Sequence, residues 1–125
     1  MDEEAQIDFE HLRRYVGDDA SLTAEVFGLF KNQVDLWSPQ LQADLDDSSW
    51  EMMTHSLKGT ARAIGAMQLA QICESAESLT GDGKRPGSRA VAIEKMEIAI
   101  SQIMIEIGRW EYRQTIIQMK SDMST

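Results

Sequence analysis

Apolar residues recur at steps of three and four along most of the chain and nowhere alternate, which predicts helices and no strands. The segment "DFEHLRRYVG" predicts a short helix, with Asp8 as its N-cap and Gly17 as its stop. "DDASLTAEVFGLFKNQVDLWSPQLQADLDD" predicts a longer one, with Leu22, Val26, Leu29, Phe30, Val34, Trp37, Leu41 and Leu45 as its inward stripe. Pro39 falls inside that pattern and predicts a kink, or a split at Ser38. A third helix starts at "SSWE", where Ser48 and Glu51 have capping-box spacing. Its buried stripe is Trp50, Met53, Leu57, Ala61 and Ile64, and Gly65 ends or bends it. A fourth runs from Met67 to Leu79 with Leu69, Ile72, Cys73, Ala76 and Leu79 inward, and "TGDGKRPGS" follows as a loop. The last helix begins near Ser88. Ile93, Met96, Ile100, Ile103, Ile107 and Trp110 give it a bundle-type seam that continues weakly through Ile117.

These elements predict an all-α fold: an antiparallel four-helix bundle, a short extra N-terminal helix across one end, and an extended C-terminal helix. Residues 1–125 form a single domain in this reading, with a core over about 8–110 and a loose tail at 1–7. A helix over 88–120 would be about 48 Å long, far longer than its neighbours, so residues 111–125 should overhang, bend or fray. The composition agrees with a globular domain, because 42% of the 125 residues are hydrophobic. A net charge of −9 argues against nucleic acid and against an anionic membrane. No apolar run approaches the ~18 residues of a spanning helix. The acidic start "MDEEAQIDFE" is no ordinary signal peptide, and the lone Cys73 forms no internal disulfide. A cytoplasmic protein is expected, monomeric unless the overhanging seam pairs with another copy.

The stretch "THSLKGTARAIG" sets a problem, because Gly59 sits in mid-helix at a cost of about 1 kcal/mol relative to alanine. On a wheel with His55 at zero, the buried stripe falls at roughly 160° to 240°. His55 therefore faces solvent, with Glu51, Lys58, Gly59 and Arg62 on the same side. A neutral imidazole is a good nucleophile towards phosphorus, and cations stabilise a transferring phosphoryl group. A glycine one turn from the ring leaves room for a second protein's active site. Simpler readings exist for each neighbour. Lys58 and Arg62 suit a helix C-terminus, Gly59 could serve helix packing, and Glu51 could either orient the imidazole or act only as a capping acid.

The segment "THSLKGTARAIGAMQLAQICESAE" resembles the histidine-containing phosphotransfer (HPt) domain of phosphorelays. His55, Leu57, Lys58, Gly59, Ala61, Gly65, Ala66 and Leu69 fall on the family pattern, and Cys73 and Glu74 continue it. "YVGDDASLTAEVFGLFKNQ" and "SSWEMMTHSLKG" are similar to the family's preceding helices, so the likeness covers roughly residues 8 to 107. Thr54 departs from it, since alanine or histidine is frequent there, and so does the long C-terminal end. The resemblance implies a bundle whose exposed histidine carries phosphate between receiver-domain aspartates. His55 would be the phosphoacceptor, Lys58 would screen phosphoryl charge, and Gly59 would admit the receiver. Arg62 is a candidate second screening cation, and Met52, Ser56, Ala63 and Ala66 would line a small, dry contact. The implied partners are receiver domains of a hybrid histidine kinase or a response regulator. No cofactor is expected in the chain itself, the Mg²⁺ coming from the receiver. The chain would be a carrier, not an enzyme with its own ATP site.

The remaining chemistry-bearing residues have simpler readings. His11 lies exposed on the first helix, Cys73 faces inward, and Asp44, Asp46 and Asp47 mark a helix boundary, so no metal site is expected. The rival function is a non-catalytic helical bundle that binds or sequesters a partner. A further one is the phosphoacceptor piece of a chemotaxis-type kinase, against which stand the start at Met1 and the lack of an attached domain.

Overall fold

The computed structural model describes residues 5–124. Among them every regular element is helical: α1 (Phe9–Val16), α2 (Ala20–Trp37), α3 (Asp47–Ala63), α4 (Met67–Glu77) and α5 (Ser88–Met123), with a 3₁₀ turn at Gly81–Gly83. Helix α3 packs against α2 and α4, and α5 closes the bundle against α4 and α2. So α3 and α5 stand diagonally across the core. Trp50, Phe27, Phe30, Leu69, Met96, Ile103 and Ile107 fill the space between them.

Local chemistry sets the ends of the helices. Asp8, Asp19 and Asp46 each accept a backbone N–H three residues on, from His11, Leu22 and Ser49. The cap of α3 is therefore Asp46, and not the Ser48–Glu51 box that the sequence suggested. Helix α2 stops at Trp37, two residues before Pro39: Ser38 still has helical φ and ψ and donates to the Val34 carbonyl, but Pro39 has no N–H with which to continue the ladder. The chain then turns without a further helix, while Leu41 and Leu45 still pack on the core. Gly65 ends α3 with φ +76°. A side chain there would meet the Asp8 carbonyl oxygen at 2.7 Å, and the Asp8 N–H donates to the Gly65 carbonyl at 2.9 Å. Only glycine satisfies both demands, and the contact ties α1 across the α3–α4 turn.

The α2 stripe is rotated from the expected one. Leu22 and Leu29 are exposed, whereas Thr23 and Phe27 are buried. The cause is aromatic packing: the Phe27 ring stands edge-on to Phe9 at 6.1 Å and to Trp110 at 5.2 Å. Positions 23, 27, 30 and 34 share the helical period of the predicted stripe and differ only in phase. The expected loose tail fails at its inner end. Gln6 and Ile7 are buried, and their N–H groups donate to the Glu106 carboxylate at 2.6 and 2.9 Å. Residues 1–4 of that tail lie outside the described residues.

Arg89 closes the far end of the bundle. It is buried, donates to the Leu79, Ala43 and Leu45 carbonyls and to Asp47, and lies 4.7 Å from the centre of the Trp50 ring. The Trp50 Nε1–H donates in turn to the Ala76 carbonyl at 2.7 Å. One guanidinium thus joins the α2–α3 connection, α4 and α5, a task its planar fork of donors suits. Helix α5 runs unbroken for 36 residues, about 54 Å. Beyond Trp110 its side chains are exposed or half-buried, with Glu111 held by Lys31 at 2.8 Å.

Candidate functional site

The short α3–α4 connection folds α4 back along α3. The fold buries Trp50, Met53, Leu57 and Ala61, and with them Thr54, whose hydroxyl donates to the Trp50 carbonyl at 2.9 Å. Burying that face turns the opposite one outward. The His55 side chain is 72% exposed. Gly59 lies one turn further on, and a Cβ built there would meet nothing within 4 Å. The mid-helix glycine therefore has no packing reason within the chain.

Glu77, at the end of α4, is the carboxylate that meets the ring. Its Oε1 lies 3.3 Å from His55 Nδ1 and 2.8 Å from Lys58 Nζ. A carboxylate only accepts, so Nδ1 is the donor in this hydrogen bond, and in the neutral ring Nε2 then carries the free lone pair. The hydrogen bond from Lys58 is the largest cause holding the Glu77 carboxyl below its usual range. Partial burial works against it, while the Lys58 charge and the His55 contact add to it. The proton-accepting state of Glu77 is thus secured well below neutral pH.

Several sequence expectations change here. Lys58 is not a free cation on the surface: its side chain is only 12% exposed and is held by Glu77. The α4 helix packs over the flank of α3 on which the wheel left Lys58 open. Glu51 is exposed, and Glu77 instead of Glu51 stands against the imidazole. Ala66 is fully buried at the start of α4 and offers nothing to a partner. Met52 and Ala63 are exposed, Ser56 is half-buried, and Arg62 is exposed with Glu74 at 3.9 Å. Glu77 escaped the sequence reading because it follows the apolar stripe of α4 and looks like a solvated helix end. A signal existed: His55 and Glu77 stand equally far along the chain from Ala66, the centre of the helical hairpin.

Beside this site, α1, α2 and the end of α3 enclose an apolar groove of about 720 Å³. Tyr15, Val26, Leu29 and Phe30 line it, and Thr60, Arg62 and Ala63 join it to the His55 face. Cys73 is buried, and its thiol is pushed up to about 12, mainly by burial. His11 packs edge-on to Tyr15 at the mouth of the groove.

Comparison with known proteins agrees with this geometry. No curated protein matches the chain. A solved structure that does is titled as the histidine phosphotransferase ShpA from Caulobacter crescentus. It is 26% identical, with a TM-score of 0.73 over 91% of this chain and 98% of that one. The model of the Hpt domain matches residues 3–110. With that match over most of its length, the chain belongs to the Hpt domain family.

Proposed function

We propose that this chain accepts a phosphoryl group on His55 from a receiver-domain aspartate and passes it to another receiver. The observation that carries this reading is the ring itself: Nδ1 is tied to Glu77, while the side chain stands in solvent beside a glycine. In the step, the Nε2 lone pair attacks the phosphorus of an aspartyl phosphate. The N–P bond forms, the O–P bond breaks, and the aspartate carboxylate leaves. The ring gains positive charge and keeps its Nδ1 proton, so the Glu77 carboxylate stabilises it as transfer proceeds. Glu77 is a positioning residue in this scheme.

Lys58 acts from its place on Glu77. Both contacts use the same Glu77 oxygen, so the ammonium lies within two hydrogen-bond lengths of the ring and screens the incoming phosphoryl charge. Gly59 leaves room for the receiver, and Arg62 provides a second cation at the rim. The groove at Tyr15 and Leu29, with Met52 and Ala63, gives the receiver an apolar surface. The receiver also brings the Mg²⁺ and the acidic pocket. Among the described residues no three potential metal-ligating side chains gather into a group. The chain then works as a carrier, without an ATP site. A cytoplasmic place belongs to this reading. Among the described residues no helix is long and apolar enough to cross a membrane.

The test is to incubate the chain with a phosphorylated receiver and follow acid-labile label. Label should move to the chain and disappear in His55→Ala with helicity unchanged. Label that persists in His55→Ala removes the assignment. A chain that binds the receiver but takes no label is a sequestering module.

A further inference from the structure

The outer face of α5 carries a second pattern that the bundle does not use. Val91, Ile98, Ile105, Tyr112 and Met119 recur every seven residues, and each is 51–67% exposed. They run along the side of α5 opposite the buried Ala92, Met96, Ala99 and Ile103. The positions four residues after each are Lys95, Gln102, Arg109, Ile116 and Met123, so steps of four and three alternate from 91 to 123. That is the spacing of a coiled-coil seam. The C-terminal part, at Tyr112, Ile116, Met119 and Met123, projects beyond Trp110, where the side chains of α5 no longer pack into the core.

We propose that this face pairs with the same face of a second copy, with the two α5 helices antiparallel. The seam chooses the occupant and its direction. In a parallel pair in register, Lys95 would stack on Lys95 and Arg109 on Arg109, with like charges inside the seam. In the antiparallel register centred at residue 107, every polar seam residue meets an apolar one. Lys95 faces Met119, Gln102 faces Tyr112, and Arg109 faces Ile105. Ile98 then packs on Ile116 and Val91 on Met123, so the full seam is used from end to end.

Two further features fit this occupant. Gly108 lies at the crossing point, and a Cβ there would meet nothing within its own chain, so helices can approach closely where the glycine stands. At the other end, a groove of about 760 Å³ between α4 and α5 is lined by Ile72, Leu79, Val91 and Lys95. In this register it receives the partner's Met119 and Met123. Ten seam positions at roughly 80–100 Å² each offer about 800–1,000 Å² per copy, against the ~800 Å² of a standard interface. Because α5 lies diagonally from α3, both copies of His55 remain open to receivers.

Sedimentation equilibrium on the full chain tests the pairing, up to about 100 µM so that weak specific dimers are included. The result expected is a species of twice 14.1 kDa. Ile105→Lys leaves helicity intact, because Ile105 is exposed in the monomer. It should weaken self-association by at least ~100-fold, since each new ammonium would be set against Arg109 of the other copy inside the seam. Cross-linking tests the direction. A mixture of Ile98→Cys and Ile116→Cys chains should form a disulfide dimer, while Ile98→Cys alone should not. Cys73 stays silent because it is buried. A monomer at every concentration overturns the proposal and leaves the face to a different protein. A dimer indifferent to Ile105→Lys, or self-cross-linking of Ile98→Cys, overturns it equally.

Discussion

Glu77→Gln keeps the shape of the side chain and removes its charge. In the native site one carboxylate oxygen accepts from His55 at 3.3 Å and from Lys58 at 2.8 Å. Hydrogen bonds to charged groups contribute about 1.5–3 kcal/mol each. The longer His55 contact and the partial exposure of both groups reduce this to about 1–2 kcal/mol for the ring as it becomes positive. Most of that appears in the transition state, so transfer should slow by about 5- to 30-fold. The assay is rapid-quench, single-turnover transfer from a phosphorylated receiver at saturating concentration, which leaves docking out of the measured rate. Folding should change by no more than about 1 kcal/mol, as expected for a partly exposed pair, and thermal unfolding checks this. A rate within twofold of the native one refutes the reasoning. A faster rate refutes it too, because Glu77 would then act mainly by withholding Lys58 from the phosphoryl group.

Gly59→Gln should leave the free protein as stable or up to about 1 kcal/mol more stable in denaturant titration, since glutamine favours helix and nothing occupies the space. It should still slow transfer at least about tenfold, the price of a 1.4 kcal/mol obstacle at the interface. Arg89→Met should destabilise the fold by about 3 kcal/mol, because three carbonyls and Asp47 lose a buried donor. Calorimetry would read this as a lower Tm. Acid should unfold the chain partly through Glu77 and Asp47, whose carboxyls are held below the usual range in the fold. The largest cause is Lys58 for the first and Lys84 for the second. Their contribution is complete above the unfolded carboxylate value near ~4 and is lost as pH falls through the native values. Glu77→Gln should flatten that acid limb of the stability curve.

The α3 face was legible in the sequence because a single helix wheel decides it. Trp50, Met53, Leu57 and Ala61 are buried and His55 is exposed, as the period of 3.6 requires. The caps at Asp8 and Gly17 were equally local. What depends on a second element was not legible. Lys58 looked free until α4 covered it, and Glu77 gained its meaning only from the hairpin that brings it to Nδ1. Phase within α2 was lost for the same reason, since Phe9 and Trp110 choose Phe27 from distant parts of the chain. Arg89 has no place in the apolar pattern, since it stands at the start of α5 just after the loop. Its burial rests on carbonyls from two other connections that no periodicity reveals.

The most direct measurement is the site of phosphorylation within the ring. Long-range ¹H–¹⁵N correlation spectra of the phosphorylated chain report which imidazole nitrogen bears phosphorus. The account predicts phosphorus on Nε2 of His55, with the Nδ1 proton retained against Glu77. Phosphorus on Nδ1, or on His11 or any other residue, would contradict it.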